Sequence, residues 1–297
     1  MKYDLEVGRD LDKKKRTKCL IIMAVLIVLF IIGTVLSQPY SIKHETIKQA
    51  MRDAVLHDEN KIPILGMIEV DPSLLSGFIV TGLLLLFAAV LRIFVIPRFQ
   101  YVPGKFQLLI EEWVGFFDNL AKSNSPHRNK ALGAYIFTAG TYIFAGTMFE
   151  LFGVQGITTE GNSISLPAPL ANINGAIAMG FFSYFFILFG GIVANKVKGI
   201  GKALKEFSLP VSMTFRLFGA LLSGMLTTEL VYYYIQLSFI LPVVVGVLFT
   251  VLHALIQAYV LTMLTSIYYG EVTEVTQKKE KKVKKKAAQA AVGGEAS

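Results

Sequence analysis

The sequence predicts an all-α, polytopic membrane protein of about six transmembrane helices, the last two long and tilted, with one further amphipathic helix at the interface. Three observations carry that expectation. Hydrophobic residues make up 54% of the 297 positions, and mean hydropathy is +0.56. The apolar residues gather in runs of about 20, the length that crosses a hydrocarbon core of about 30 Å. Such runs are too long for barrel strands, and in lipid only helices and closed barrels satisfy their own backbone groups.

The first 18 residues carry seven Lys or Arg, and Cys19–Ser37 is an uninterrupted apolar run. It reads as a retained first helix or, with small residues at Val35 and Ser37, as a signal peptide; either way residue 38 is outside. Residues 38–73 read as an external loop, and 44–57 has the polarity of a short surface helix. Leu74–Ile96 is the second span, with Arg92 near enough to its end to snorkel. Phe106, Leu109, Ile110, Trp113, Phe116, Phe117 and Leu120 then recur at helical spacing with Glu111, Glu112 and Asp118 between them. That pattern predicts an amphipathic helix along the membrane surface with Trp113 at the interface, or a helix packed on protein.

Ala131–Phe152 is the third span, followed by a loop without Lys or Arg, and Ile173–Ala194 is the fourth. Residues 195–207 hold four lysines. Two long runs follow, Ser208–Gln236 and Pro242–Tyr269. From Leu209 and from Pro242 each covers 28 residues, about 42 Å of helix, so each must tilt or extend beyond the bilayer. Pro210 and Pro242 lie in first turns, where a missing N–H does little harm. The tail carries seven lysines between Lys278 and Lys286 and reads as a disordered, headgroup-attracted segment.

Outside the spans, 23 Lys or Arg fall on one side and four on the other, those four all within 38–72. Six spans with both termini cytoplasmic satisfy the positive-inside rule, which places the chain in the cell membrane with its basic loops and tail inside. Topology thus accounts for the net charge of +8, and no nucleic-acid partner is implied. The expected organisation is a basic N-terminus and extra span (1–37), an external loop (38–73), a membrane domain (74–271) and a tail (272–297).

No phosphate-binding glycine loop is present, so ATP is not bound by this chain. The four histidines show no ligand spacing, Cys19 is the single cysteine, and neither a metal nor a cofactor is expected. What remains is polarity inside the membrane. Arg216 sits within the fifth span, where a charge costs roughly 2.5–3.5 kcal/mol on translocon scales. At helical spacing it shares a face with Gly219, Ala220, Ser223, Gly224 and Thr227, while Leu217, Phe218, Leu221, Leu222 and Met225 lie mostly opposite. Thr250, His253 and Gln257 form a polar stripe on the last span. An antiparallel arrangement across a tight turn would bring Gln257 near Arg216 and set His253 and Glu229 on a shared polar route. Glu229 is 13 residues from Arg216, roughly 20 Å, so the two cannot pair within one helix. Snorkelling is the structural alternative for Arg216, an interhelical hydrogen bond for His253, and simple access to water for Glu229 and Glu150.

Four segments together carry a resemblance. PVSMTFRLFGALLSG (210–224) and ALIQAYVLTMLTSIYYGE (254–271) resemble the two signature helices of subunit a of the F-type rotary ATP synthase. VPGKFQLLIEEWVGFF (102–117) and PLANINGAIAMG (169–180) resemble two earlier segments of that family, in the same order. The resemblance implies two ion half-channels meeting a rotating ring of small subunits, each with a mid-membrane carboxylate. The expected role is that of the stator subunit, itself non-catalytic. It also implies peripheral-stalk b subunits and a soluble head as partners. Arg216 matches the family's essential arginine and Gln257 the glutamine facing it. Half-channel candidates are Glu229, His253, Ser223, Thr250, Asn172, Asn174 and, less directly, Glu150. Departures are Ala220 for a usual Asn, Met225 and Thr250 at the half-channel pair, and Asn172 for a usual Asp. Glu229 and His253, each about one turn further along, are read as displaced replacements for that pair. The alternatives weighed from the sequence are a secondary transporter or channel that binds an anion at Arg216, and a membrane scaffold.

Overall fold

A computed structural model describes Val25, Val28 and residues 62–64, 68–157, 163–233 and 241–274. The expected first span, apart from the helical Val25 and Val28, lies outside the described residues, as do the 44–57 segment, the 234–240 turn and the Lys-rich tail. Two compact units are present: Met1–Glu59 with Ser223–Phe249, and Asn60–Leu222 with Thr250–Ser297.

The larger unit begins with a β-hairpin, β1 (Ile62–Ile64) and β2 (Ile68–Val70), paired antiparallel with Ile62 opposite Val70. Helix α1 (Pro72–Val90) follows, capped by Asp71, whose side chain accepts the Ser73 N–H at 2.9 Å. Asp at the N-cap and Pro at the first helical position are strong start signals. The helix loosens into a π turn at Leu91–Val95 and a 3-10 turn at Ile96–Arg98. Pro97 explains this, because its ring clashes with the carbonyl four residues back and supplies no N–H. Most of α1 faces outward, with Phe78, Leu85, Leu86 and Phe87 exposed as lipid-facing side chains would be.

Helix α2 (Lys105–Asn124) turns back antiparallel onto α3 (Asn129–Phe149). The approach is close: a methyl on Gly133 would sit 3.6 Å from Ala121 Cβ, and one on Gly140 would strike Phe117. The sequence puts Trp113 at the headgroup level, whereas here its indole N–H donates to Thr141 Oγ1 at 3.1 Å and its ring packs on Phe117 and Phe144. The apolar stripe of α2 is thus partly covered by protein, with Phe106 and Leu109 left exposed. A 3-10 turn, Glu150–Phe152, leads to a second hairpin, β3 (Gln155–Ile157) with β4 (Ser163–Ser165). Both hairpins meet at one end of the unit, where Ile62 and Leu166 pack with Val80 and Phe149.

Helix α4 (Ile173–Asn195) is joined through Lys196 to a short helix, α5 (Val197–Lys205), in a stretch that the sequence reads as a lysine-bearing loop. Lys196 takes φ 53°, a backbone conformation that favours glycine and lets the two helices fold back sharply. Gly199 lies directly on the backbone of Gly191, with no room for a methyl. The last two helices are α6 (Ser208–Tyr233) and α7 (Leu241–Thr273), the latter 33 residues or about 50 Å long. Leu209 and Met213 share a buried cluster with Tyr269 and Val272, and Leu217 and Leu221 share another with Ala258 and Leu261. Within the larger unit α6 and α7 therefore run antiparallel, as expected.

Among the described residues four helices are long and apolar enough to cross a membrane: Pro72–Arg98, Asn129–Phe152, Ile173–Asn195 and Gly246–Thr273. The sequence led us to expect six. Residues 19–37 lie outside the described residues, apart from Val25 and Val28, and α6, though 26 residues long, is diluted by Arg216 and its serines, threonines and glycines. Polar links between helices recur, including Asn124 Nδ2 to Ser266 Oγ at 3.0 Å, Tyr135 Oη with Ser183 Oγ at 2.7 Å, and Asn195 Nδ2 to the Val272 carbonyl at 2.9 Å. In lipid such contacts and small-residue approaches hold helices together where the hydrophobic effect does not.

The α4–α5 junction yields a paired prediction. Gly199→Ala lowers the thermal midpoint of the detergent-solubilised protein. Gly201→Ala, where a methyl meets nothing within 4 Å, leaves it unchanged or raises stability by about 0.5–1 kcal/mol through helix propensity. Equal behaviour of the two variants in a melting assay contradicts this packing.

Candidate functional site

Helix α6 divides sharply by face. Met213, Thr214, Leu217 and Leu221 are buried, while Ser212, Phe215, Arg216, Gly219 and Ser223 are exposed. The cause is the helical period: a stripe at 3 and 4 spacing that fills the core leaves the complementary positions outside. Arg216 is carried outward because its neighbour Leu217 is locked inward, 1% exposed, among Ala176, Ala258 and Leu261. Nothing stands within 4 Å of a Cβ placed on Gly219, so the surface beside Arg216 is open. The other side of α6 lies tight on α4: a methyl on Gly180 would stand 2.6 Å from Thr214 Oγ1 and 2.9 Å from the Pro210 carbonyl oxygen.

Gln257 is placed differently. It is buried on α7, 5% exposed, and its Oε1 meets no hydrogen-bond donor among the described residues. Since Leu217 and Ala258 occupy one cluster, Arg216 and Gln257, their sequence neighbours, stand at the same level of the larger unit. An orphaned acceptor at the level of an outward guanidinium is suited to a donor that arrives from α6 or from outside the chain. Buried polar groups are costly unless paired.

Asn172 and Asn174 mark the start of α4. Asn172 is its N-cap, accepting the Asn174 N–H at 2.7 Å, and its Nδ2 donates to Asp71 Oδ2 at 2.7 Å. One carboxylate thereby caps α1 and clasps α4. A cavity of about 440 Å³ opens here, lined by Asp71, Ser73, Tyr142, Asn172, Asn174, Met179 and Phe182 among others. Glu150 is half-buried in the turn after α3, toward the same end as the hairpins. Thr250 and His253 are half-buried on α7. Ser223 and Glu229 lie on α6, with the side chain of Glu229 outside the described set; Thr227 Oγ1 donates to the Ser223 carbonyl at 2.7 Å. No group of three or more His, Cys, Asp or Glu gathers as a metal site among the described residues.

The structure thus brings together Arg216 with Gln257 by level, and Asn172 with Asn174 by direct contact. Sequence reasoning missed Asp71, which reads there as part of the external loop. The signal was present, since Asp-Pro immediately before an apolar run reads as N-cap followed by first helical residue.

Residues 74–270 match the family model described as ATP synthase A chain. Similar proteins include ATP synthase subunit a of Cereibacter sphaeroides (strain ATCC 17025 / ATH 2.4.3), 25% identical over 183 residues, covering 58% of this chain and 70% of that protein. The subunit a of Actinobacillus pleuropneumoniae serotype 3 (strain JL03) is 27% identical over 222 residues, 62% of this chain and 84% of that one. The subunit a of Histophilus somni (strain 129Pt) is 28% identical over 204 residues, 56% and 76% respectively.

The buried, unsatisfied Gln257 generates a stability prediction. Gln257→Met removes the orphaned acceptor at similar volume, so the melting midpoint of the detergent-solubilised protein stays within the equivalent of about 1.5 kcal/mol of the parent or rises. A large drop would show that Gln257 holds the fold together.

Proposed function

This chain belongs to the ATP synthase A chain family, and on that premise we propose that the exposed face of α6 around Arg216 bears on a rotating ring of carboxylate-bearing subunits. The protein is the stator subunit a of a rotary ATP synthase, an ion-translocating, multi-pass membrane protein that works in contact with other subunits of that complex. Ion flow past it is coupled to ATP synthesis, or ATP hydrolysis pumps ions the other way.

The observation that carries the ring-facing assignment is the outward Arg216 beside the bare Gly219. A guanidinium exposed within a membrane span is costly in lipid and demands an anionic partner, and within this chain the packing of Leu217 turns it away from the core. A ring carboxylate passing at this level meets a cation that cannot deprotonate, which lowers the carboxylate's pKa and favours release of its ion. Gln257 offers the acceptor that keeps the guanidinium in place between passages. Lysine cannot replace it, having neither the planar fork nor a fixed charge.

On either side of that barrier, Asn172, Asn174 and Glu150 belong to the external half-channel, with Glu229, His253, Ser223 and Thr250 completing the ion route. The exposed edge of α2 near Phe106 and Leu109 suits a peripheral-stalk b helix or the headgroup layer, and the basic loops and tail lie in the cytoplasm. A transporter that binds an anion at Arg216 needs an enclosed cationic pocket, whereas this side chain stands on an open face.

ATP-driven ion pumping in membrane vesicles tests this reading. Arg216→Ala abolishes pumping and Arg216→Lys does nearly the same, with ring and soluble subunits still co-purifying; pumping at the parent rate in Arg216→Ala would refute it. Glu229→Gln and His253→Ala each slow ATP synthesis, and parental rates in both would remove them from the ion route.

A further inference from the structure

The cavity at the outer ends of α1 and α4 has features that its place in a helix bundle does not require. Its volume of about 440 Å³ is room for on the order of ten waters at about 30 Å³ each. Among its lining residues Asp71 alone is a carboxylate, and none is cationic. Asp71 uses one oxygen on the Ser73 N–H at 2.9 Å and the other on Asn172 Nδ2 at 2.7 Å. Each carboxylate oxygen keeps a further lone pair.

The second observation is the hydroxyl of Ser73. That residue is 2% exposed, lines the cavity, and its Oγ has no hydrogen-bond partner among the described residues. Buried hydroxyls are almost always paired, so this one marks the position of a water or an ion inside the cavity. From the mouth the cavity follows α4 from Asn174 past Met179 to Phe182, about 12 Å along the helix. Met179 also packs on the cluster that holds Leu217 and Ala258, the neighbours of Arg216 and Gln257. The cavity therefore leads from the outer end of the unit toward the level of the ring-facing arginine.

We propose that this cavity is the external mouth of the ion path and that Asp71 is the carboxylate that receives the coupling cation there. The proposal rests on the stator reading above. If the cation is a proton, water at the mouth gives it to a free lone pair of Asp71, and the next water inward, held by Ser73 Oγ, takes it on, leaving the carboxylate ionised as before. If it is sodium, the same oxygens and the Ser73 hydroxyl replace part of its hydration shell. Asn172 is a positioning residue, since it fixes the carboxylate without carrying charge.

The test uses the whole ATP synthase containing this chain, in membrane vesicles energised by an imposed gradient, in sodium-free and sodium-containing buffer. Asn caps a helix as well as Asp does, so Asp71→Asn keeps the cap while removing the charge. The expected result is a loss of ATP synthesis of about tenfold or more, with ring co-purification and melting midpoint unchanged, and partial recovery in Asp71→Glu. Asp71 as a cap alone predicts that Asp71→Asn is harmless. That outcome overturns the proposal while Arg216→Ala still abolishes synthesis; if Arg216→Ala is also harmless, the stator reading itself fails. Where Asp71→Asn disturbs assembly, water access decides. In a Cys19→Ser background, Ser73→Cys reacts with silver ion added from outside, and a thiol silent to silver overturns the proposal.

Discussion

A guanidinium held within a membrane helix, on the face that the packing leaves outside, is the constraint on which the rest of this architecture depends. Arg216 cannot be neutralised, so its cost in lipid must be met by an anion. The fold turns it outward because Leu217, Leu221 and Met213 occupy the core side of α6. Its position is thus a by-product of close packing elsewhere. The tighter α6 sits on α4 at Gly180 and on α7 at Ala258, the less freedom the arginine has to retreat.

That packing is achieved with little help from the hydrophobic effect, which does not distinguish a helix neighbour from a lipid tail. Small residues and buried polar pairs take over. Gly191 against Gly199, Gly180 against Thr214 and Gly270 against the Asn124 backbone bring helices together at distances no side chain could share. Asn124 with Ser266 and Tyr135 with Ser183 fix their register. The same device operates at the outer end, where Asp71 serves two helices at once. A polar residue that holds helices in register can also stand where an ion passes, and the proposed ion path gives Asp71 and Asn172 both roles.

Much of this is legible in the sequence. The four apolar helices stand within a few residues of the expected spans, because an apolar run must become a helix in lipid and flanking charges mark its ends. The faces of α6 follow from period alone. What the sequence hides has physical causes. Val197–Lys205 reads as a loop because four lysines in 195–207 mask a short amphipathic helix, and the sharp turn that enables it is made by Lys196, where a glycine would be the visible signal. The amphipathic pattern points Trp113 toward the headgroups, but its partner Thr141 belongs to another helix and no local rule could pair them. Asp71 escapes notice because its bond to Asn172 spans 101 positions.

Whether the open face of α6 meets a ring subunit is decided most directly by cross-linking. In a Cys19→Ser background, single cysteines at Gly219 and Ser223 on the exposed face, and at Leu217 and Leu221 on the buried one, are each combined with a cysteine beside the ring subunit's carboxylate. Disulfide formation in membranes from the exposed-face pair of positions and not from the buried-face pair is the predicted result. Cross-linking from Leu217 and Leu221 instead, or from none of the four in an assembled complex, would contradict a ring-facing α6.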